Sequence, residues 1–369
     1  MALTVDLEKR LGDFHLQANF QAGDEALALL GASGCGKSVT LKCIAGILRP
    51  DRGHIELDGK VLFDSRENIN LPPQQRGVGY LFQQYALFPH MTVAQNIAAA
   101  LHRQPKKGRA ETARRVFGNF HPTGLRQHPP PPPPHEKKAR PARARRLLET
   151  FHLTGLEQHY PAQLSGGQQQ RVALVRILAS KPQAILLDEP FSALDSSLKL
   201  ELELELESML EGFGGTVLWV SHDRAEVERH CRQVAVMERG SVGRVTTLEE
   251  LRRNPATVAE ARMAGCRNFT ACTVSDGVLH APGWGLTLPC PAKDGRYTLG
   301  LPDHALAPGA NLHGVVTRRM ESGDQVTVLL HLATGEVLVI VQAMEACPPI
   351  GSPLSLAVLP DRFYLIPSH

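Results

Sequence analysis

No apolar run in this chain reaches the ~18–20 residues that a membrane-crossing helix needs, so none is expected. The opening residues, Met1-Ala2-Leu3-Thr4-Val5-Asp6, lack the basic-then-apolar texture of an export signal. Cysteines number seven, an odd count, and none form a C-x-x-C pair. That argues against a disulfide framework or a zinc site and for reduced thiols in cytosol. Aromatic residues make up only 5% of the chain. They are sparse where positive charge is densest, since residues 101–150 hold 13 Lys/Arg against three Asp/Glu. A basic block with few rings to stack on bases argues against a nucleic-acid partner. It reads as a solvated segment, with acidic lipid headgroups as the other surface it suits. The remainder is net acidic, and 369 residues with 43% apolar content suffice for two or three globular domains.

What is present begins with Gly31-Ala32-Ser33-Gly34-Cys35-Gly36-Lys37-Ser38, which fits G-x-x-x-x-G-K-[ST] at every fixed position. Ala26 to Leu30 before it read as a buried strand and Val39 to Ala45 after it as a helix. Glycines let such a loop curl so that backbone N–H groups face phosphate oxygens, and the following helix adds its positive end. Lys37 can reach the β- and γ-phosphates, and the Ser38 hydroxyl can ligate Mg²⁺.

A second constellation lies further on. Ala184-Ile185-Leu186-Leu187-Asp188-Glu189-Pro190 is an apolar run ending in two carboxylates, as a buried parallel strand would deliver them. Asp188 suits Mg²⁺, and Glu189 suits a general base that polarises water. Leu164-Ser165-Gly166-Gly167-Gln168-Gln169-Gln170-Arg171 is a turn feeding a helix, a second anion-binding N-terminus. Gln83 follows Leu81-Phe82, Asp195 closes Ser192-Ala193-Leu194, and His222 follows the apolar run Thr216 to Val220 and Ser221.

In this order and spacing the motifs resemble the nucleotide-binding subunits of ATP-binding cassette (ABC) transporters, closely over about residues 1–260. The resemblance implies an α/β fold: a P-loop NTPase core over 1–262, with a helical subdomain inserted at about 87–162. A small OB-like β-barrel accessory domain follows over 263–369. It implies ATP and Mg²⁺ as cofactors, with Gly31 to Ser38 on the phosphates and Ser38, Gln83 and Asp188 serving the metal. Glu189 is then the catalytic base, His222 contacts the γ-phosphate, and Gln83 links the metal and attacking water to the permease. Ser165, Gly166, Gly167 and Gln168 serve the nucleotide of a second subunit, and Asp195 is counted among the nucleotide-binding residues. Phe14 is the candidate platform under adenine, and a plain core phenylalanine is the alternative. The implied assembly is a homodimer on membrane permease subunits, peripheral to the cytoplasmic face of the inner membrane, and served by an extracytoplasmic solute-binding protein.

The wording of Val5 to Phe14, Tyr85 to Val93 and Gly265-Cys266-Arg267-Asn268-Phe269 resembles sulfate/molybdate-type oxyanion importers. Importers of sugars, polyamines and iron share much of it. A non-transport ABC ATPase and a sensing module with residual ATPase are further alternatives. Intact Glu189 and His222 argue against the second. From about residue 263 the texture turns to short strands and Gly turns, and no basic cluster there marks an oxyanion pocket, so a dimerising role is preferred to sensing.

Two stretches require a decision. Leu200 to Glu207 alternates Leu and Glu with period two, nominally a strand. Leu and Glu are strong helix formers, and Leu198, Leu202, Leu206 and Leu210 make an i, i+4 row, so a helix is expected, with a second Leu row left over. The other stretch is a near-repeat: Ala113-Arg114-Arg115 with Phe120 to His128 recurs 31 residues later as Ala144-Arg145-Arg146 with Phe151 to His159. The first copy runs into six prolines, Pro129 to Pro134, so about 114–144 is read as a basic, Pro-rich insert of polyproline II character.

Overall fold

The computed structural model describes residues 2–101, 144–151, 153–192, 196–323, 325–343 and 348–368. The insert expected over 114–144 therefore lies, Ala144 apart, outside the described residues, as does Asp195. The chain divides into two compact units, residues 1–245 and 246–369. The sequence reading ends the cassette at 262; the division by contacts counts two short helices, Leu248–Arg253 and Val258–Met263, with the second unit.

In the first unit eleven strands form one sheet: β1 (Leu3–Leu11), β2 (Phe14–Ala22), β3 (Leu27–Leu30), β4 (Arg52–Leu57), β5 (Lys60–Asp64), β6 (Ile69–Asn70), β7 (Val78–Leu81), β8 (Ala184–Asp188), β9 (Thr216–Ser221), β10 (Gln233–Glu238) and β11 (Ser241–Thr247). Their order is β6-β5-β4-β1-β2-β11-β10-β3-β9-β8-β7. The half β10-β3-β9-β8-β7 pairs in parallel. Every residue of β3, β8 and β9 is buried, which is why these segments read as unbroken apolar runs. β1 and β2 pair antiparallel, and β2 alternates buried with exposed positions over its second half. The tips of β3, β8 and β9 carry the phosphate-loop sequence, the two carboxylates and His222 to one end of the parallel half.

The helix that follows the phosphate loop, Lys37–Ala45, ends at Gly46 with φ 77. A Cβ there would lie 2.4 Å from Arg76 Nε. Arg76 is fully buried, and its guanidinium donates to the carbonyls of Leu71, Cys43 and Ile44 and to Asn70 Oδ1, each at 2.8 Å. It occupies the place of a helix C-cap, where a cation is favoured. Burial lowers its pKa to about 10, so it stays charged at neutral pH.

The second unit is all β apart from short helical turns. β12 (Asn268–Ser275), β13 (Val278–Ala281), β14 (Leu286–Pro289), β15 (Gly295–Leu301), β16 (Leu306–Ser322), β17 (Gln325–Leu332), β18 (Val337–Ala343), β19 (Pro353–Val358) and β20 (Tyr364–Pro367) make two sheets, β14-β13-β12-β15-β20 and β18-β17-β16-β19. Both face one core that includes Leu299, Leu312, Val326, Leu330 and Leu338. Asn268 stitches the sheets together: its Nδ2 donates to the Val339 carbonyl and its Oδ1 accepts from the Val339 N–H, both at 2.7 Å.

Arg76→Met should weaken the first unit. Buried carbonyls of the phosphate-loop helix would lose donors, each worth about 1–3 kcal/mol when left unsatisfied. Urea unfolding should show a loss of about 2–4 kcal/mol with an unchanged slope. A loss below about 0.5 kcal/mol would mean that water replaces the guanidinium without penalty.

Candidate functional site

The phosphate loop is shaped by its last glycine. Gly36 precedes the helix at φ 112, a left-handed conformation, and a Cβ there would meet Met237 Cε at 2.8 Å and Phe14 Cζ at 2.9 Å. The lysine that follows is buried, and its Nζ donates to the carbonyls of Gly31 (2.7 Å) and Ala32 (3.0 Å), inside the curl of its own loop. Burial pushes the Cys35 thiol up from its ordinary value despite the nearby ammonium of Lys37. Ser33 and Gly34 are exposed at the loop tip. Phe14 stands beside Gly36, half-buried on the core that holds Leu16 and Met237.

Asp188 ends β8 with both oxygens engaged. Ser38 Oγ donates to Oδ1 and the Tyr80 hydroxyl to Oδ2, each at 2.7 Å. Glu189 follows in a left-handed conformation, φ 48, with its N–H on the Val220 carbonyl at 3.0 Å. That turn directs its carboxylate away from Asp188: Oε1 lies 3.3 Å from Nδ1 of the half-exposed His222. Gln83 is tied to the same turn, since its Nε2 donates to Ser192 Oγ (3.1 Å), which donates to the Glu189 carbonyl (3.0 Å). Two and three residues beyond Gln83, Tyr85 and Ala86 both have positive φ, 55 and 45. Arg176 holds them, donating to the Ala86 carbonyl at 2.9 Å and the Tyr85 carbonyl at 3.3 Å. Sequence reasoning missed Tyr80 and Ser192. The signal for Tyr80 was a phenol in an otherwise apolar strand, a hydroxyl that needs a partner once buried.

Ser165 caps the helix Gly166–Ala179 through a capping box with Gln168. The Ser165 N–H donates to Gln168 Oε1 at 3.0 Å, and the Gln168 N–H to Ser165 Oγ at 3.3 Å. Ser165 and Gly166 are exposed, whereas Gly167 is buried against Leu202, whose methyl carbons lie 3.1 Å from where its Cβ would be. Leu202 belongs to the Leu/Glu stretch, which is a helix, Ser196–Leu210. Leu202 and Leu206 are buried and Leu210 half-buried, while the other row, Leu200 and Leu204, is 59% exposed at each position.

The glutamates explain the alternation. Glu203 is buried and accepts two hydrogen bonds from Arg229, Nε at 2.7 Å and Nη2 at 2.8 Å, with His230 Nε2 at 3.5 Å and Lys199 Nζ at 3.9 Å. Lys199 also pairs with Asp223, the residue after His222 and the N-cap of helix Arg224–His230. Glu205 pairs with Arg171 at 2.8 Å, on the helix that Ser165 caps. One helix thus joins the Ser165 turn to the His222 turn.

A sheet whose parallel half carries a lysine-bearing loop after β3 and paired carboxylates at the tip of β8, one strand away, defines a P-loop ATPase core. Residues 15–192 match the family model described as ABC transporter. The molybdate/tungstate import ATP-binding protein of Archaeoglobus fulgidus is 39% identical over 251 residues, 68% of this chain and 89% of its own length. The spermidine/putrescine import ATP-binding protein of Methylococcus capsulatus is 36% identical over 349 residues, 92% of this chain and 79% of its own length. The molybdenum import ATP-binding protein of Paramagnetospirillum magneticum is 35% identical over 253 residues, 69% of this chain and 61% of its own length. The chain belongs to the ABC transporter family, as an ABC-type ATPase.

Glu203→Gln should loosen the bridging helix. Breaking a fully buried ion pair removes about 3–5 kcal/mol. The Arg229 side chain is 44% exposed, so solvent screening reduces the expected loss to about 1–2 kcal/mol. The urea midpoint should fall accordingly, and an unchanged midpoint would show that Glu203 contributes nothing to holding this helix.

Proposed function

We propose that the chain hydrolyses ATP, as one half of a homodimer, to drive import of an oxyanion through a membrane permease. The observation that carries the reading is the meeting of Ser38, at the start of the helix after the phosphate loop, with Asp188, Glu189 and His222 at the tips of β8 and β9: Ser38 Oγ lies 2.7 Å from Asp188 Oδ1 and Glu189 Oε1 3.3 Å from His222 Nδ1.

Each residue then has a task. Backbone N–H groups of Gly31 to Ser38 and the Lys37 ammonium bind the phosphates. For Lys37 this means exchanging the carbonyls of Gly31 and Ala32 for phosphate oxygens. Ser38 and Asp188 form a hard oxygen pair that suits Mg²⁺, which when bound neutralises developing phosphate charge. Glu189, turned out of the strand by its positive φ, takes the proton of the attacking water. His222 orients Glu189 and contacts the γ-phosphate. Gln83, held through Ser192 to the Glu189 backbone, reports the state of that turn to the permease. Ser165, Gly166, Gly167 and Gln168 close over the nucleotide of the second subunit, supplying N–H donors and excluding water. Phe14 stacks under adenine.

A cleft of about 460 Å³ supports a permease partner. It is lined by Tyr80, Phe82, Phe88, Met91 and Arg176, with the Arg176 guanidinium 5.3 Å from the Phe88 ring centre. Apolar walls with one cation suit a short amphipathic segment. None of the described helices is long and apolar enough to cross a membrane. In the second unit Arg252, Arg253 and Arg362 share a cavity of about 480 Å³ with Glu249 and Asp361. The two carboxylates offset two of the three arginines, so a dimerising role remains preferred to anion sensing.

The oxyanion assignment rests on the wording of Val5 to Phe14, Tyr85 to Val93 and Gly265 to Phe269 and on the molybdate-import relatives. The second reading, polyamine or iron import, is favoured by relatives named for those solutes. Vesicles carrying the complete transporter should take up molybdate or sulfate in an ATP-dependent way. Uptake of spermidine or ferric iron instead would replace the oxyanion reading.

For the chemistry, Glu189→Gln should retain ATP and hold a dimer together while phosphate release falls about 10²–10⁴-fold. Light scattering and a phosphate-release assay read the two effects separately. Turnover near the wild-type rate would remove Glu189 from the role of base.

A further inference from the structure

Three features converge on one residue that none of the cassette motifs contains. Tyr80 sits on β7, the edge strand of the sheet, and pairs in parallel register with Leu186 of β8. Residues two apart on a strand face the same way, so Asp188 projects from the same face as Leu186 and Tyr80. A tyrosine side chain is long enough to cover the offset, and its hydroxyl reaches Asp188 Oδ2 at 2.7 Å. The ring is buried and leans on Phe82, with centres 4.3 Å apart, so few rotamers are open to it.

We propose that Tyr80 is a positioning residue: by donating to Oδ2 it fixes the Asp188 carboxylate so that Oδ1, shared with Ser38, is presented to the divalent cation that accompanies the nucleotide. The inference rests on the ATPase reading above. A carboxylate at a strand tip rotates about its last bond unless something holds it. Of its two oxygens, one is needed for the metal together with Ser38, so the hold must come through the other. The side chains hydrogen-bonded to Asp188 among the described residues are Ser38 and Tyr80, and Tyr80 alone lies outside the phosphate loop. A partner in this place works by orienting a ligand that is not its own, and losing such a partner usually weakens metal binding about 10–100-fold.

Tyr80→Phe removes the hydroxyl and keeps the ring. The test measures binding of a fluorescent, non-hydrolysable ATP analogue to the full chain as Mg²⁺, then Mn²⁺, is titrated. In Tyr80→Phe the half-saturating concentration of either cation should rise about tenfold. Affinity for the analogue without divalent cation should be unchanged, because the phosphate loop is untouched. A metal requirement unchanged in Tyr80→Phe overturns the inference. So does a loss of metal-free affinity in Tyr80→Phe, since that marks a purely structural role. A wild-type chain that binds the analogue with no response to divalent cation overturns the ATPase reading, and this inference with it.

Discussion

The hydrogen bond between Ser38 and Asp188 joins residues 150 positions apart in the chain. It can form only if β3 and β8 end at the same height, one strand apart, with β9 between them. Everything else at the site is set by that alignment. The phosphate loop is placed because it starts where β3 stops. Glu189 is placed because it follows Asp188, and its left-handed backbone turns its side chain to the other neighbour, β9, whose tip carries His222. The sheet is therefore the metric of the site: burial of β3, β8 and β9 on both faces fixes their spacing, and the polar residues appear only where burial ends.

Around this centre, long-range ion pairs keep the outlying parts in step. Helix Ser196–Leu210 holds Arg171 with Glu205 and Arg229 with Glu203, and its Lys199 holds Asp223. Arg176, on the helix capped by Ser165, holds the backbone around Tyr85 and Ala86 in its strained conformation. The turn that bears Gln83 and the turn that bears His222 are thus each anchored, directly or through one helix, to the helix that Ser165 begins.

Much of this was readable from residue order. Motifs built on backbone geometry, Gly31 to Ser38 and Ser165 to Gln168, announce themselves because glycine and capping residues have few other reasons to occur together. The parallel strands were legible as apolar runs, and the Leu/Glu stretch as a helix from propensity against its period. What escaped was pairing at a distance. Nothing near Tyr80 in the sequence indicates that its partner is Asp188, 108 positions on. Ser192 was named only as part of the run that Asp195 closes, not as the link between Gln83 and Glu189. Asn268 stood within a segment noted only for its wording, yet its amide replaces a backbone pair between two sheets. Glu203 and Glu205 counted only as helix formers, because a period-two pattern on a helix gives no single polar face to mark which glutamates find buried partners.

The exposed Leu200 and Leu204 bear on how this chain tolerates change. Two leucines one turn apart form too small a patch to mark an interface by themselves. The helix keeps its place through Leu202, Leu206, Glu203 and Glu205, all on other faces. Its specifying content is therefore concentrated in few positions, and the alternation that makes the stretch conspicuous carries less instruction than it displays. Drift at positions 200 and 204 toward lysine or glutamine would erase the repeat from the sequence and leave the architecture as it is.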